Sequence, residues 1–258
     1  MRKGCLILLV LLLVLGLYAC GDSVSEEAEL VVFAAASLSG VLVEIAEQYT
    51  DATIVFNFDS SGTLRTQIQA GAEVDVFISA AMQEVDELDR QGLVADGTWI
   101  DFLENQVVLV VAPDHPSDIE SFQDMAEVLA SGNVLMAMGN MDVPVGRYAQ
   151  EILAYFGLDH ETLAGTGMIS YGSNVREVAM QVREASVDFG LVYLTDAIEF
   201  GLTVVDIATT EMVGRVIYPA AVLRDSQDLE AAQGFLDFLV GDEARGVFVA
   251  GGFLAFVE

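Results

Sequence analysis

The chain has 258 residues, a formal net charge of −30, and 10 Lys plus Arg against 40 Asp plus Glu. So acidic a surface lacks the cationic patches that nucleic acid or an anionic membrane face demands, which excludes both as electrostatic partners. Hydrophobic residues make up 53% of the chain, ample for the core of one large domain or two small ones.

Arg2 and Lys3 precede the apolar run Leu6 to Leu17, which has the charge and length of a secretory leader. That run is about a dozen residues, short of the roughly 20 that span a bilayer. Leu17, Tyr18, Ala19, Cys20 and Gly21 resemble the lipobox at which bacterial lipoproteins are cleaved and acylated on the cysteine. On this reading residues 1–19 are a signal peptide, Cys20 carries lipid, and residues 20–29 form a flexible acidic tether. Cys5 leaves with the leader, so the mature chain has neither a free thiol nor a disulfide. Loss of Arg2 and Lys3 moves the net charge from −30 to −32 and leaves no lysine. Such a surface resembles that of proteins from very salty surroundings, where screening shortens to about 3 Å at 1 M salt.

From residue 30 onward, strand and helix patterns alternate, the mark of an α/β architecture with parallel sheets. Strands are expected at Leu30 to Ala34, Thr53 to Phe58, Val74 to Ser79, Gln106 to Ala112, Val134 to Met138, Phe189 to Leu194, Thr203 to Ile207 and Arg215 to Leu223. Leu38, Val41, Leu42, Ile45, Ala46 and Tyr49 form one helical stripe. A second helix begins near Thr63 and ends at Gly71. A third runs from Val145 to Phe156 with Gly157 as its cap, and a fourth from Val175 to Val182. Late helices cover roughly Asp228 to Val240 and Asp242 to Val249. The long candidates Gln106 to Ala112 and Arg215 to Leu223 suit strands that cross between two lobes, residues 30–107 plus 219–258 and residues 111–215.

Catalytic signals are weak. His115 lies between two prolines and His160 follows a helix end, with no metal or triad spacing around either. No nucleophile elbow, phosphate loop or zinc-protease motif occurs. By contrast, four strand-to-helix junctions share a chemistry: Ala35-Ala36-Ser37-Leu38, Ser60-Ser61-Gly62-Thr63, Val143-Pro144-Val145-Gly146 and Gly172-Ser173-Asn174-Val175. Each offers small residues or hydroxyls at a helix start whose first amides lack intrahelical partners. Several such ends converging on one cleft would hold an anion without a cation. Taken singly, Ser37, Ser60 or Ser61 would be ordinary helix caps worth about 1 kcal/mol each. Tyr193 closes the strand Phe-Gly-Leu-Val-Tyr at the edge where open α/β sheets bind ligands, and a phenol donates a hydrogen bond without adding charge. Arg147 and Arg176, just inside two of the helices, are candidate counterions for the anion, with pairing to surface carboxylates as the alternative.

The segments VFAAASL, FDSSGTLRTQIQAGAEVDVFISA, VVLVVAP, VPVGRYAQEIL, NVREVAM and GLVYLTDA resemble, in order and spacing over residues 30–258, the periplasmic molybdate-binding proteins of ABC transporters. The resemblance implies a type II periplasmic-binding-protein fold, two α/β lobes joined by two crossing strands, closing on a tetrahedral oxyanion. It implies hydroxyl and amide donors from Ser37 and Ser61, backbone amides from Val145 and Val175, and the hydroxyl of Tyr193. It further implies a monomeric, lipid-anchored, extracytoplasmic receptor for molybdate and tungstate that needs no cofactor, performs no catalysis and serves a permease and an ATPase. Departures from the pattern are Val145 where alanine is common, Asp59 beside Ser60, and Asn174 where an acidic residue is common. The rivals are a sulfate or phosphate receptor on the same lobes, and a hydrolase with Ser37 or Ser61 as nucleophile, which would need a base within reach.

Overall fold

The computed structural model describes residues 28–113 and 119–255. The expected leader, Cys5, Cys20, the start of the tether and His115 lie outside the described residues. The first part of the chain comprises β1 (Ala28–Ala35), a 3-10 turn (Ala36–Leu38), α1 (Ser39–Ala46), β2 (Ala52–Asp59), α2 (Ser61–Gln69), β3 (Val76–Ile78), α3 (Met82–Arg90) and β4 (Ile100–Asn105). The middle part holds β5 (Val107–Val111), α4 (Phe122–Ser131), β6 (Met136–Gly139), α5 (Pro144–Tyr155), α6 (His160–Gly165), β7 (Ile169–Gly172), α7 (Val175–Arg183), β8 (Phe189–Tyr193), α8 (Leu194–Phe200), β9 (Thr203–Ile207) and α9 (Thr210–Val213). The chain then returns through β10 (Val216–Val222), α10 (Leu229–Leu239), α11 (Asp242–Ala250) and β11 (Leu254–Ala255).

Two sheets result. One has six strands in the order β11-β4-β10-β3-β1-β2, the other five in the order β7-β6-β8-β5-β9. Each is mixed: β1 pairs in parallel with β2 and β3 while β10 runs antiparallel to β3, and β6 is parallel to β7 and β8 while β5 is antiparallel to β8. This is the two-lobed type II architecture that the resemblance implied, but the sheets are not the parallel ones expected from the alternation, because β10 and β5 run antiparallel to their neighbours. The first crossing between sheets falls at Gln106. There Asn105 Oδ1 accepts the Gln106 amide at 2.8 Å, between the end of β4 and the start of β5. The second crossing leads from β9 through α9 into β10.

The helices lie where their apolar stripes require. Leu38, Leu42 and Ile45 of the first stripe are fully buried, as are Val178, Ala179 and Val182 of α7. Strands β1, β3, β5 and β8 are apolar on both faces because helices cover both, so they read as continuous rather than alternating runs. Gly157 takes φ 71° just beyond α5, the left-handed helix end expected of it. Among the described residues, no helix is long and apolar enough to cross a membrane.

Candidate functional site

Ala35, Ala36, Ser37, Asp59, Ser60, Ser61, Ala80, Val143, Pro144, Val175 and Tyr193 line one small recess between the two sheets. It therefore brings together the first turn after β1, the starts of α2, α5 and α7, and the carboxyl end of β8. Four of the five expected binding residues, Ser37, Ser61, Val175 and Tyr193, line it directly. At the fifth position the lining comes from Val143 and Pro144, and Val145, the next residue, is fully buried. The recess encloses about 10 Å³, close to the space one water-sized sphere needs. In this structure it has no room for anything larger.

The serines differ in role. Ser60 is the cap of α2, its side chain accepting the Thr63 amide at 3.2 Å. Ser61, the first helical residue, is fully buried and accepts the Ala80 amide at 3.0 Å. That bond leaves its hydroxyl proton free to donate. Ser37 caps nothing: it sits inside the 3-10 turn, and α1 starts after Leu38 without a side-chain cap. The cap reading of Ser37 is therefore corrected.

Ser37 is instead the end of a buried chain of hydrogen bonds. Its Oγ lies 3.0 Å from Tyr218 Oη. Asn105 Nδ2 donates to Tyr218 Oη at 3.2 Å and to Thr195 Oγ1 at 2.9 Å. The Asn105 amide is oriented by the Gln106 N–H, which must meet oxygen, so its nitrogen faces the two hydroxyls. Tyr218, already accepting from Asn105, can spend its own proton on Ser37, and the Ser37 proton is then directed elsewhere. Neither Asn105 nor Tyr218 carries a motif that announces this role.

Tyr193 is 1% exposed, and its hydroxyl has no hydrogen-bond partner among the described residues. Burial, reinforced by Tyr218, Tyr148 and Asp196, pushes its pKa well above the ordinary phenol value. It stays a neutral donor, and a buried donor without an acceptor costs about 1–3 kcal/mol. Its ring meets those of Tyr148 and Tyr218 edge to face, at centroid distances of 6.5 and 5.7 Å.

The electrostatics of the recess come from backbone. α2, α5 and α7 point their amino ends at it, each carrying roughly half a positive charge. Asp59 is the one charged residue in the lining, and its Oδ1 accepts the Ser60 amide at 2.7 Å. Both candidate counterions are engaged elsewhere. Arg147 pairs with Glu84, and Arg176 contacts both Glu199 oxygens at 2.7 Å with its guanidinium 4.9 Å from the Phe200 ring centroid. Asn174 caps α7 by accepting the Glu177 amide at 3.1 Å. His160 is half-buried and bonded to Tyr171 Oη at 2.6 Å, outside the recess. Among the described residues, no group of three or more His, Cys, Asp and Glu is placed to hold a metal ion.

Residues 30–254 match the family described as bacterial extracellular solute-binding protein. Over 252 residues the chain is 34% identical to YvgL of Bacillus subtilis strain 168, provisionally named an ABC transporter substrate-binding lipoprotein, with 95% of this chain and 94% of that one covered. It is 32% identical over 242 residues to the molybdate-binding protein ModA of Escherichia coli K12, covering 90% and 91%. The solved periplasmic molybdate-binding protein of Azotobacter vinelandii superposes with a TM-score of 0.77 at 23% identity, over 89% of this chain and 100% of that one, which establishes likeness of fold.

Proposed function

The chain belongs to the bacterial extracellular solute-binding protein family, and within it we propose that this member is a receptor for molybdate and tungstate. It would pass the anion to the permease and ATPase of an ABC transporter, as a lipid-anchored extracytoplasmic monomer. Residues 30–107 plus 219–258 would form one lobe and 111–215 the other, parting at the crossings to admit the anion. The observation that carries this reading is the Tyr193 hydroxyl, a buried donor lacking a protein acceptor, in a recess where three helix amino ends meet. A dianion there would accept from Tyr193, Ser37 and Ser61 and from the first amides of α5 and α7 at Val145 and Val175. Neutral donors suffice because each bond to a charged acceptor contributes about 1.5–3 kcal/mol.

Calorimetric titration of the full chain with molybdate, tungstate, sulfate and phosphate tests the reading. One-to-one binding of molybdate and tungstate is expected, with rejection of the smaller sulfate. Ser37→Ala and Tyr193→Phe should each weaken molybdate binding by roughly tenfold to a hundredfold. Wild-type affinity in both variants would remove those residues from the site. Asp59 in the lining supports a second reading, a protonated phosphate given to that carboxylate. Phosphate binding that fades as pH rises and the ligand loses its proton would favour it.

A further inference from the structure

A second set of contacts between the two sheets lies beside the recess and uses none of its proposed donors. Glu84 of α3 has a side chain with 0% exposure. A carboxylate so placed is costly unless it is paired. Arg65 of α2 supplies one partner, with Nη1 3.2 Å from Glu84 Oε2, an ion-pair contact without hydrogen-bond alignment. The other partner is Arg147 of α5, which packs on the five-stranded sheet and donates from Nη2 to Glu84 Oε1. Arg147 is held for this purpose by its own side, since Nη1 donates to Met141 O at 3.1 Å.

Close by, the Gly62 amide donates to Asp142 O at 3.0 Å, again from one lobe to the other. A Cβ on Gly62 would sit 2.4 Å from that carbonyl oxygen, and its three nearest neighbours would all be backbone atoms of Asp142. Gly62 follows Ser61 and Arg147 lies in the first turn after Pro144, so both contacts are rigidly tied to walls of the recess.

We propose that Glu84, Arg147 and the Gly62–Asp142 bond form an interlobe latch that holds the cleft closed and sets how long a bound anion is retained. Parting of the sheets would leave Glu84 with Arg65 alone and return Arg147 and the Asp142 carbonyl to water. The latch therefore favours the closed form before any ligand contact is counted. A receptor whose binding-competent form is less populated binds more weakly by that fraction, so these are positioning residues for affinity. Only the ligand arm of the following test rests on the oxyanion reading.

The full chain and its Arg147→Gln, Arg147→Lys, Gly62→Ala and Gly40→Ala variants would be titrated with molybdate. Each would also be measured without ligand by small-angle X-ray scattering and thermal melting. Arg147→Gln should weaken molybdate binding by about tenfold to a hundredfold, the worth of one charge-assisted bond. It should also speed release and enlarge the radius of gyration of the ligand-free chain, with Arg147→Lys recovering part of each. Gly62→Ala should open the chain as well, and it carries the test if Arg147→Gln fails to fold. Gly40→Ala should do neither, because its Cβ meets the Glu199 carboxylate at an ordinary 3.6 Å. Unchanged affinity and unchanged radius in Arg147→Gln, or in Gly62→Ala, would overturn the latch. A wild type that gives no molybdate heat but expands on either substitution would sink the ligand reading and keep the latch.

Discussion

Gly146→Ala is expected to abolish measurable molybdate binding and to lower the melting temperature by about 10 °C. Gly146 is the third residue of α5, where alanine would ordinarily gain up to ~1 kcal/mol in helix propensity. Here the added Cβ would lie 2.3 Å from the carbonyl oxygens of both Asn140 and Gly139. Neither oxygen can retreat easily. Gly139 ends β6 in register with Gly172 of β7, and the Asn140 amide is bonded to Gly172 O at 3.1 Å. Gly146 itself donates to Val143 O at 2.8 Å. Overpacking of this kind costs typically 1–3 kcal/mol, more where the obstacle is backbone, and a chain of this size loses roughly 2–4 °C per kcal/mol. Relief must come from shifting the start of α5, and with it Val143 and Pro144 in the wall of the recess. Gly246→Ala in α11 is the matched control. Its Cβ meets nothing within 4 Å, so propensity alone acts and the variant should melt at or slightly above wild type. Melting and molybdate titration of both variants check the contrast, and a wild-type-like Gly146→Ala would mean that the β6–α5 turn has slack.

That glycine shows which features a sequence can disclose. The junctions were legible because a bare helix start needs small residues and hydroxyls in consecutive positions, and Ser61, Pro144 and Val175 do meet at one recess. The helices α1, α5 and α7 were legible from their stripes. Helix α4 carries an equally regular one, Phe122, Met125, Ala126 and Leu129, which the expected elements left out. Helix α3 was hidden for a physical reason. One of its three buried side chains is Glu84, so the inward face looks polar until Arg65 and Arg147 are seen beside it. Asn105 and Tyr218 were equally hidden. Their partnership spans 113 residues of chain, and that of Tyr218 with Ser37 spans 181. Local pattern reports caps and stripes, whereas these roles exist only once the two crossings have brought distant segments together.

Asp196→Asn should remove a steep fall in the protein's stability between about pH 4 and 8. Asp196 lies in the first turn of α8, is 1% exposed, and neither carboxylate oxygen has a hydrogen-bond partner among the described residues. Burial pushes its pKa up to about 8; Arg176 opposes the shift and Glu199 adds to it. An unfolded aspartate titrates near 3.9. Below about pH 4 both states hold the proton and ionisation costs the folded form nothing, although the buried acid's one O–H then lacks an acceptor. Between about 4 and 8 the unfolded chain releases a proton that the folded chain retains, so stability falls as pH rises, by up to ~1.4 kcal/mol per unit. Above about 8 the loss is complete. Asparagine carries no such linkage, although at every pH it buries two N–H donors without acceptors where the protonated acid buries one O–H, a further cost of about 1–3 kcal/mol. The variant should therefore be somewhat less stable than wild type near pH 4 and more stable near pH 8, the difference changing by roughly 5 kcal/mol across the window. Denaturant unfolding of the two chains at pH 4, 6 and 8 reads the crossover directly. Parallel stability curves would show that Asp196 ionises in the folded state near its ordinary pKa, and that the first turn of α8 solvates it better than its burial implies.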